Sequence, residues 1–264
     1  MNMKSGFSLR KWYLDCVSDN GDTFIGYSGV LRWGALTLHY SSATTSCGGS
    51  QASTATSLKE SAMPRMTGDK IYWSSKALKA HGEWIPSSAP IHKTLYESPE
   101  GMAVWSCHQP RSNARISLGN KEQIAGFGYA EMLELTVKPW QLPITDLRWG
   151  RFLSERDALV WVDWRGADLR SVFHNGRQCE EAEISDEQIS FNNKRVRLAF
   201  TEKTILREGV LVSTALSAIP GVETILPARM LHTYECKWRS KGILFDGGVP
   251  SSAGWVIHEI VRFP

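Results

Sequence analysis

Apolar and polar positions alternate with a period of two along most of the chain, which predicts strands rather than helices. Residues 11–17 alternate in this way, Asn20-Gly21 follows as a hairpin signal, and residues 23–27 return. A third β-rich run spans 36–40. Strand-like runs resume at 70–74, 79–84, 101–107, 113–118 and 126–137. Beyond them come 147–153, 158–164, 169–174, 178–184, 190–200, 205–216, 231–240 and 254–263, with turns at Asn175-Gly176 and Asp246-Gly247. No long helical period is present, and short helices are expected at most near Asp186 and at 227–231. Many short strands with closely spaced turns predict an all-β barrel or sandwich.

Two stretches break the pattern. Residues 41–68 are rich in Ser, Thr and Gly and read mostly as a long mobile loop, with room for a short helix in the second part. Such a loop is either a lid over a cavity or a solvated insertion. Lys138-Pro139-Trp140-Gln141-Leu142-Pro143 places two prolines around an aromatic, a stiff segment that cannot join a ladder. The expected domains are therefore 1–138, with the loop at 41–68, and 139–264.

Composition narrows the function. With 264 residues, 42% of them hydrophobic and 22% charged, the chain can bury a sizeable core. The net charge of +3 comes from scattered Lys and Arg, which argues against a nucleic-acid partner. Five cysteines, none at CxxC spacing, argue against a disulfide framework and a zinc site. No stretch is apolar enough for a membrane span, and the first residues lack the features of a secretory signal, so a cytoplasmic setting is expected. Eleven tryptophans point to a broad aromatic core or an aromatic-lined cavity.

Trp12-Tyr13-Leu14-Asp15, Gly126-Phe127-Gly128-Tyr129-Ala130-Glu131, Pro139-Trp140 leading to Leu147-Arg148-Trp149-Gly150-Arg151-Phe152, and Gly254-Trp255-Val256-Ile257-His258-Glu259 resemble the AttH and hydroxyneurosporene-synthase-like proteins. That branch of the calycins includes carotenoid 1,2-hydratases. The resemblance implies two lipocalin-like antiparallel β-barrel or sandwich domains in tandem. It also implies a pocket for a hydrophobic ligand such as a polyene, terpenoid, polyketide or lipid. The hydratase-like members typically continue the Gly-x-Gly-Tyr strand into Asp or His with Asn-x-Gly, whereas this chain continues Ala130-Glu131-Met132-Leu133.

Alternation also nominates chemistry. Phe127, Tyr129, Glu131, Leu133 and Leu135 share one side of their strand, a mostly apolar row expected to face inward. Glu131, with Tyr129 beside it, is then either a cavity acid or one half of a structural ion pair. Arg148 and Arg151 flank Trp149 and suit either a glutamate partner or a ligand carboxylate. Trp161, Asp163 and Arg165 share one face, while Val160, Val162 and Trp164 on the other are expected to be core. Asp163 is a solvated ion pair or a cavity acid. His258 is a proton shuttle or a hydrogen-bonded structural histidine. His108 suits a cavity mouth, and Trp33, Trp105, Trp149, Trp161 and Trp255 are candidate ligand walls. No spacing marks a metal site, a nucleophile elbow or a phosphate-binding loop, and no cofactor is expected.

Three functions follow. One is a cofactor-independent enzyme that hydrates, isomerises or cyclises a hydrophobic unsaturated molecule with a cavity acid, of lyase or isomerase type. Another is a non-catalytic carrier of a hydrophobic ligand. The third is an interaction module with a filled core. Each is compatible with a monomer or homodimer.

Overall fold

The computed structural model describes residues 6–60, 62–119 and 122–264. The chain divides into two compact units, the first ending at Leu142 and the second beginning at Pro143. The first contains β1 (Phe7–Ser18), β2 (Thr23–Trp33), β3 (Leu36–Ser46), β4 (Ser53–Ser57), β5 (Arg65–Thr67), β6 (Lys70–Ser75), β7 (Ala80–Pro86), β8 (Ile91–Ser98), β9 (Gly101–Leu118) and β10 (Glu122–Leu135). The second contains β11 (Asp146–Leu153), β12 (Ala158–Arg165), β13 (Leu169–His174), β14 (Arg177–Gln178), β15 (Glu183–Ile184), β16 (Gln188–Phe191), β17 (Val196–Val210), β18 (Tyr234–Asp246) and β19 (Val249–Arg262). Two single-turn helices, α1 (Val222–Ile225) and α2 (Ala228–Leu231), lie between β17 and β18.

Strand order is β4-β3-β2-β1-β10-β9-β7-β6-β5 in the first unit, with β8 against β9, and β14-β13-β12-β11-β19-β18-β17-β16-β15 in the second. Apart from β8 the two orders are the same. Each unit is an up-and-down antiparallel meander whose first strand pairs with its last, leaving the fourth and fifth strands as edges. The all-β tandem arrangement expected from the sequence is borne out.

One face of each sheet carries a core. In the first unit Trp12, Leu14, Cys16, Phe24, Ile71, Trp73, Trp84, Ile116 and Ala130 form one cluster. Trp84 Nε1 donates to the Asp15 carbonyl at 2.7 Å and Trp73 Nε1 to Ser28 Oγ at 2.7 Å, so both indoles bury with their N–H satisfied. In the second unit Phe152, Leu159, Trp161, Val172, Phe191, Leu198, Phe200 and Val256 do the same.

The 41–68 segment expected as a loop is corrected: its second part holds β4 and β5 rather than a short helix among the described residues, and in its first part β3 runs on to Ser46 and pairs with β2 and β4. It escapes sequence reading because its side chains are small. Ser41, Ser42 and Thr44 are buried in spite of their hydroxyls. Ser41 Oγ donates to the Glu60 carbonyl at 3.0 Å, and Thr44 bonds Thr54 across the ladder at 2.8 Å. At Ser41 and Thr44 a satisfied hydroxyl stands in for the missing apolar bulk, whereas Ser42 Oγ is buried without a hydrogen-bond partner among the described residues. The hairpin at Asn20-Gly21 forms, but through four residues; only Gly21 takes positive φ, at 90°. Asn175-Gly176 does make the two-residue turn, with φ of 51° and 79°. The helix expected at 227–231 is α2, while the region of Asp186 bends into β16.

Closure of each unit depends on a glycine. A Cβ at Gly126 of β10 would lie 2.1 Å from the Val17 carbonyl oxygen of β1, and one at Gly254 of β19 would lie 2.0 Å from that of Leu153 in β11. Only a residue without a side chain permits this approach. We expect Gly126→Ala and Gly254→Ala each to lose about 2 kcal/mol or more of stability, read by urea unfolding, and Gly29→Ala, which meets only ordinary contacts, to lose far less. Unchanged unfolding curves for the first two would show that the seam tolerates separation.

Candidate functional site

Pairing register assembles one polar–aromatic cluster in the first unit. Tyr13 of β1 lies opposite Tyr27 of β2 on one side and Glu131 of β10 on the other; Asp15 lies opposite Tyr129, and Glu131 opposite Cys107 of β9. Directly paired residues of antiparallel strands share a sheet face. Trp105, two residues from Cys107, joins them.

The contacts converge on Glu131. Its Oε2 accepts a hydrogen bond from Trp105 Nε1 at 2.5 Å and another from the Tyr129 hydroxyl at 2.6 Å. Tyr13 donates its hydroxyl to Asp15 Oδ2 at 2.8 Å. The Tyr13 ring meets Tyr27 edge-on at 5.3 Å and Tyr129 at 6.0 Å. Asp15, Cys107, Trp105 and Tyr129 are buried, whereas Glu131 retains part of its exposure. Burial pushes the Tyr129 phenol well above its usual range, reinforced by Cys107 and Glu131. Tyr129 therefore stays protonated and remains a donor. Burial likewise raises the Cys107 thiol, which stays neutral.

The row Phe127–Leu135 lies on the sheet face opposite the cluster around Trp12 and Trp84, and it too is shielded, with Tyr129 0% and Leu135 4% exposed. Ala130 belongs to the core cluster and Met132 packs against it, so Tyr129 and Glu131 point to the opposite face. Alternation could not decide this, because side chains on both faces are buried here: Tyr129 and Ala130 are each 0% exposed. In β12 the expected core row is buried, and so is the opposite one. Leu159 and Trp161 belong to the core cluster, yet Val160, Val162 and Trp164 on the other face are also buried.

The remaining candidates lie elsewhere. His108 stacks on the core residue Trp12, with ring centroids 4.8 Å apart, and so sits on the other face of the sheet from Glu131. Its Nε2 is buried without a hydrogen-bond partner, and burial lowers its pKa. Trp33 packs against Trp140 at 5.3 Å and Phe7 at 6.5 Å, under Lys138. In the second unit Arg148 pairs with Asp146 at 3.0 Å and with Asp186. Asp163, 2% exposed, sits between Arg165 at 3.2 Å and Arg170 at 3.3 Å, a buried group rather than a solvated one. Trp149 lies under Lys237, which pairs with Glu259. Arg151 is wholly buried and donates to the Trp255 carbonyl at 2.8 Å, while Arg239 and Lys241 cover the Trp255 ring.

Trp161 and His258 belong to one aromatic stack. Trp161 stacks on Phe200 at 5.7 Å, Phe200 meets His258 at 4.7 Å, and Trp238 covers His258 at 5.1 Å. His258 Nε2 lies 3.0 Å from Ser240 Oγ. Burial, aided by the charges of Lys203 and Lys237 and opposed by Glu259, depresses its pKa to about 3. The imidazole is neutral around pH 7.

Of the residues nominated by sequence, Tyr129, Glu131 and Trp105 are thus in direct contact around one carboxyl. Tyr13, Asp15 and Tyr27 were not nominated. For Tyr13 and Asp15 the signal was the Trp-Tyr-Leu-Asp run at residues 12–15, whose odd positions share the Glu131 face. Among the described residues no group of three His, Cys, Asp or Glu could hold a metal ion, and no helix is long and apolar enough to cross a membrane.

No family model matches the chain, and no curated protein matches it. Solved structures do. An AttH assignment from Nitrosomonas europaea aligns over 96% of this chain and 92% of its own, at 12% identity and TM-score 0.55. Kievitone hydratase from Nectria haematococca aligns over 99% and 90%, at 10% identity and TM-score 0.54. CghA with Sch210972 aligns over 99% and 93%, at 10% identity and TM-score 0.60. The chain therefore shares the fold of the lipocalin-like AttH group that its sequence motifs resemble.

The depressed His258 pKa has a consequence for stability. Its folded value of about 3 lies below the ordinary 6.5, so as pH falls the unfolded chain takes up the proton first. The stability due to neutral His258 is complete above pH 6.5 and declines toward pH 3, at about 1.4 kcal/mol per pH unit. His258→Gln should flatten the dependence of the urea midpoint on pH across that window; parallel profiles for variant and parent would refute a buried neutral imidazole.

Proposed function

We propose that the protein is a cofactor-independent enzyme acting on a hydrophobic, unsaturated small molecule, with Glu131 as its proton donor. The observation that carries the reading is the convergence of Trp105 and Tyr129 on one oxygen of a carboxyl that remains partly exposed. A catalytic acid must be held in place yet be reachable. Trp105 and Tyr129 hold it, and Tyr13, Tyr27 and Tyr129 bring aromatic rings around it.

In a hydration, the protonated carboxyl gives its proton to one alkene carbon and leaves a cation on the other. Water adds to that cation, and the proton it sheds returns to the carboxylate. Aromatic faces favour the cation through their π electrons. Isomerisation uses the same protonation followed by loss of a different proton, and a cyclisation gains from the orientation imposed by the wall. The shared fold supports this range of chemistry: one structural neighbour is named a hydratase and another is a complex with the small molecule Sch210972. A cytoplasmic protein, working as a monomer or homodimer, fits the reading.

A carrier would use the same aromatic surroundings without proton transfer, and one residue separates the two. With a panel of conjugated polyenes and unsaturated fatty acids, tryptophan quenching reports binding, and loss of the conjugated absorbance or gain of one water in the mass reports turnover. Glu131→Gln should lower turnover by roughly 10²-fold or more while quenching persists. Tyr129→Phe, which removes one of the two donors, should lower turnover less. Saturable quenching with no turnover in the parent protein would establish the carrier, and full activity in Glu131→Gln would remove Glu131 from the chemistry.

A further inference from the structure

A second feature of the first unit lies on the same sheet face as Glu131 but far along it. Gln123 and Glu131 are eight residues apart on β10, roughly 26 Å at the rise of a strand. There the edge of the sheet forms an open groove of about 560 Å³, with Arg65 of β5, Tyr72 of β6, His81 and Glu83 of β7, and Arg115 and Ser117 of β9 in its wall. That volume falls in the range of small-molecule sites.

Register explains the arrangement. Arg65 pairs with Tyr72, Tyr72 with Glu83, and Glu83 with Arg115, making one continuous cross-strand row. His81 and Ser117 pair in the next row on the same face. The two arginines stand at the ends of the first row, with the Tyr72 ring and the Glu83 carboxyl between them. Three strand spacings separate their backbones by about 14 Å, so two long side chains can close on one bound group.

The charges are unbalanced. Glu83 is engaged by Lys70 at 3.5 Å. Arg65 and Arg115 are exposed, and among the described residues neither has a carboxylate within ion-pair distance. The row therefore holds two uncommitted guanidinium groups beside a phenol, a histidine and a serine hydroxyl. A guanidinium presents a planar fork of donors that matches the oxygens of a phosphate or carboxylate.

We infer that this groove is a second binding site, specific for a small organic anion whose phosphate or carboxylate oxygens bridge Arg65 and Arg115. It is independent of the acid chemistry assigned to Glu131. Tyr72 and His81 offer it rings to pack against, and Ser117 a further hydrogen bond.

Titration calorimetry of the full chain at low salt, with inorganic pyrophosphate and with citrate as probes, tests this. Saturable binding of either probe is expected, weakening as salt is raised. Losing one charge-assisted contact should weaken it about tenfold or more in Arg65→Gln and in Arg115→Gln. Arg195→Gln, at an exposed arginine in the second unit already paired with Asp246, should leave it unchanged. Both tested arginines are exposed, so the variants should retain the parent unfolding curve. Response to pyrophosphate alone assigns the site to phosphate esters, and response to citrate alone to carboxylates. No saturation with either probe, or equal affinity in all three variants, would overturn the inference.

Discussion

The pairing of first strand with last is the constraint on which the rest of each unit depends. An open meander of nine or ten strands leaves its two end strands unpaired and exposes its core face. Here β1 joins β10 and β11 joins β19, so the ends of the main strand path fall at the fourth and fifth strands, which are short. The seam is tightest in each unit where Gly126 or Gly254 passes a carbonyl of the opposing strand at a distance no side chain tolerates.

The seam also fixes the chemistry beside it. Glu131 is five residues beyond Gly126, and Glu259 is five beyond Gly254, so the two glutamates occupy matching places. Their surroundings differ. Glu131 meets the neutral donors of an indole and a phenol, while Glu259 meets Lys237. One strand pairing thus presents a carboxyl that accepts from an indole and a phenol in the first unit and a carboxyl that pairs with a lysine in the second.

Burial acts with opposite sign on the two kinds of buried titratable group. It keeps Tyr129 and Cys107 protonated and keeps His258 unprotonated, because in each case the charged form is the one that loses its hydration. Asp163, also buried, has instead two arginines within ion-pair distance. The groove at Arg65 and Arg115 is the reverse case, with exposed guanidinium groups uncommitted to a protein carboxylate.

Alternation, turn residues and the two-proline segment were enough to determine an all-β chain, the positions of most strands and a nomination of Glu131, Tyr129 and Trp105. Those features are local, written in neighbouring residues. Sequence could not tell which row of β10 or β12 faced the core, because both rows are buried and period-two patterning carries no sign when neither face is wet. Nor could it see β3 extending through Ser41–Ser46, where hydrogen-bonded hydroxyls take the place of apolar side chains. The meeting of Tyr13 and Asp15 with Tyr129 and Glu131 joins residues far apart in the chain, as does the meeting of Trp161 with His258 through Phe200 in the second unit. Only strand register and packing, which are properties of the closed sheet, decided which of the nominated residues stand together.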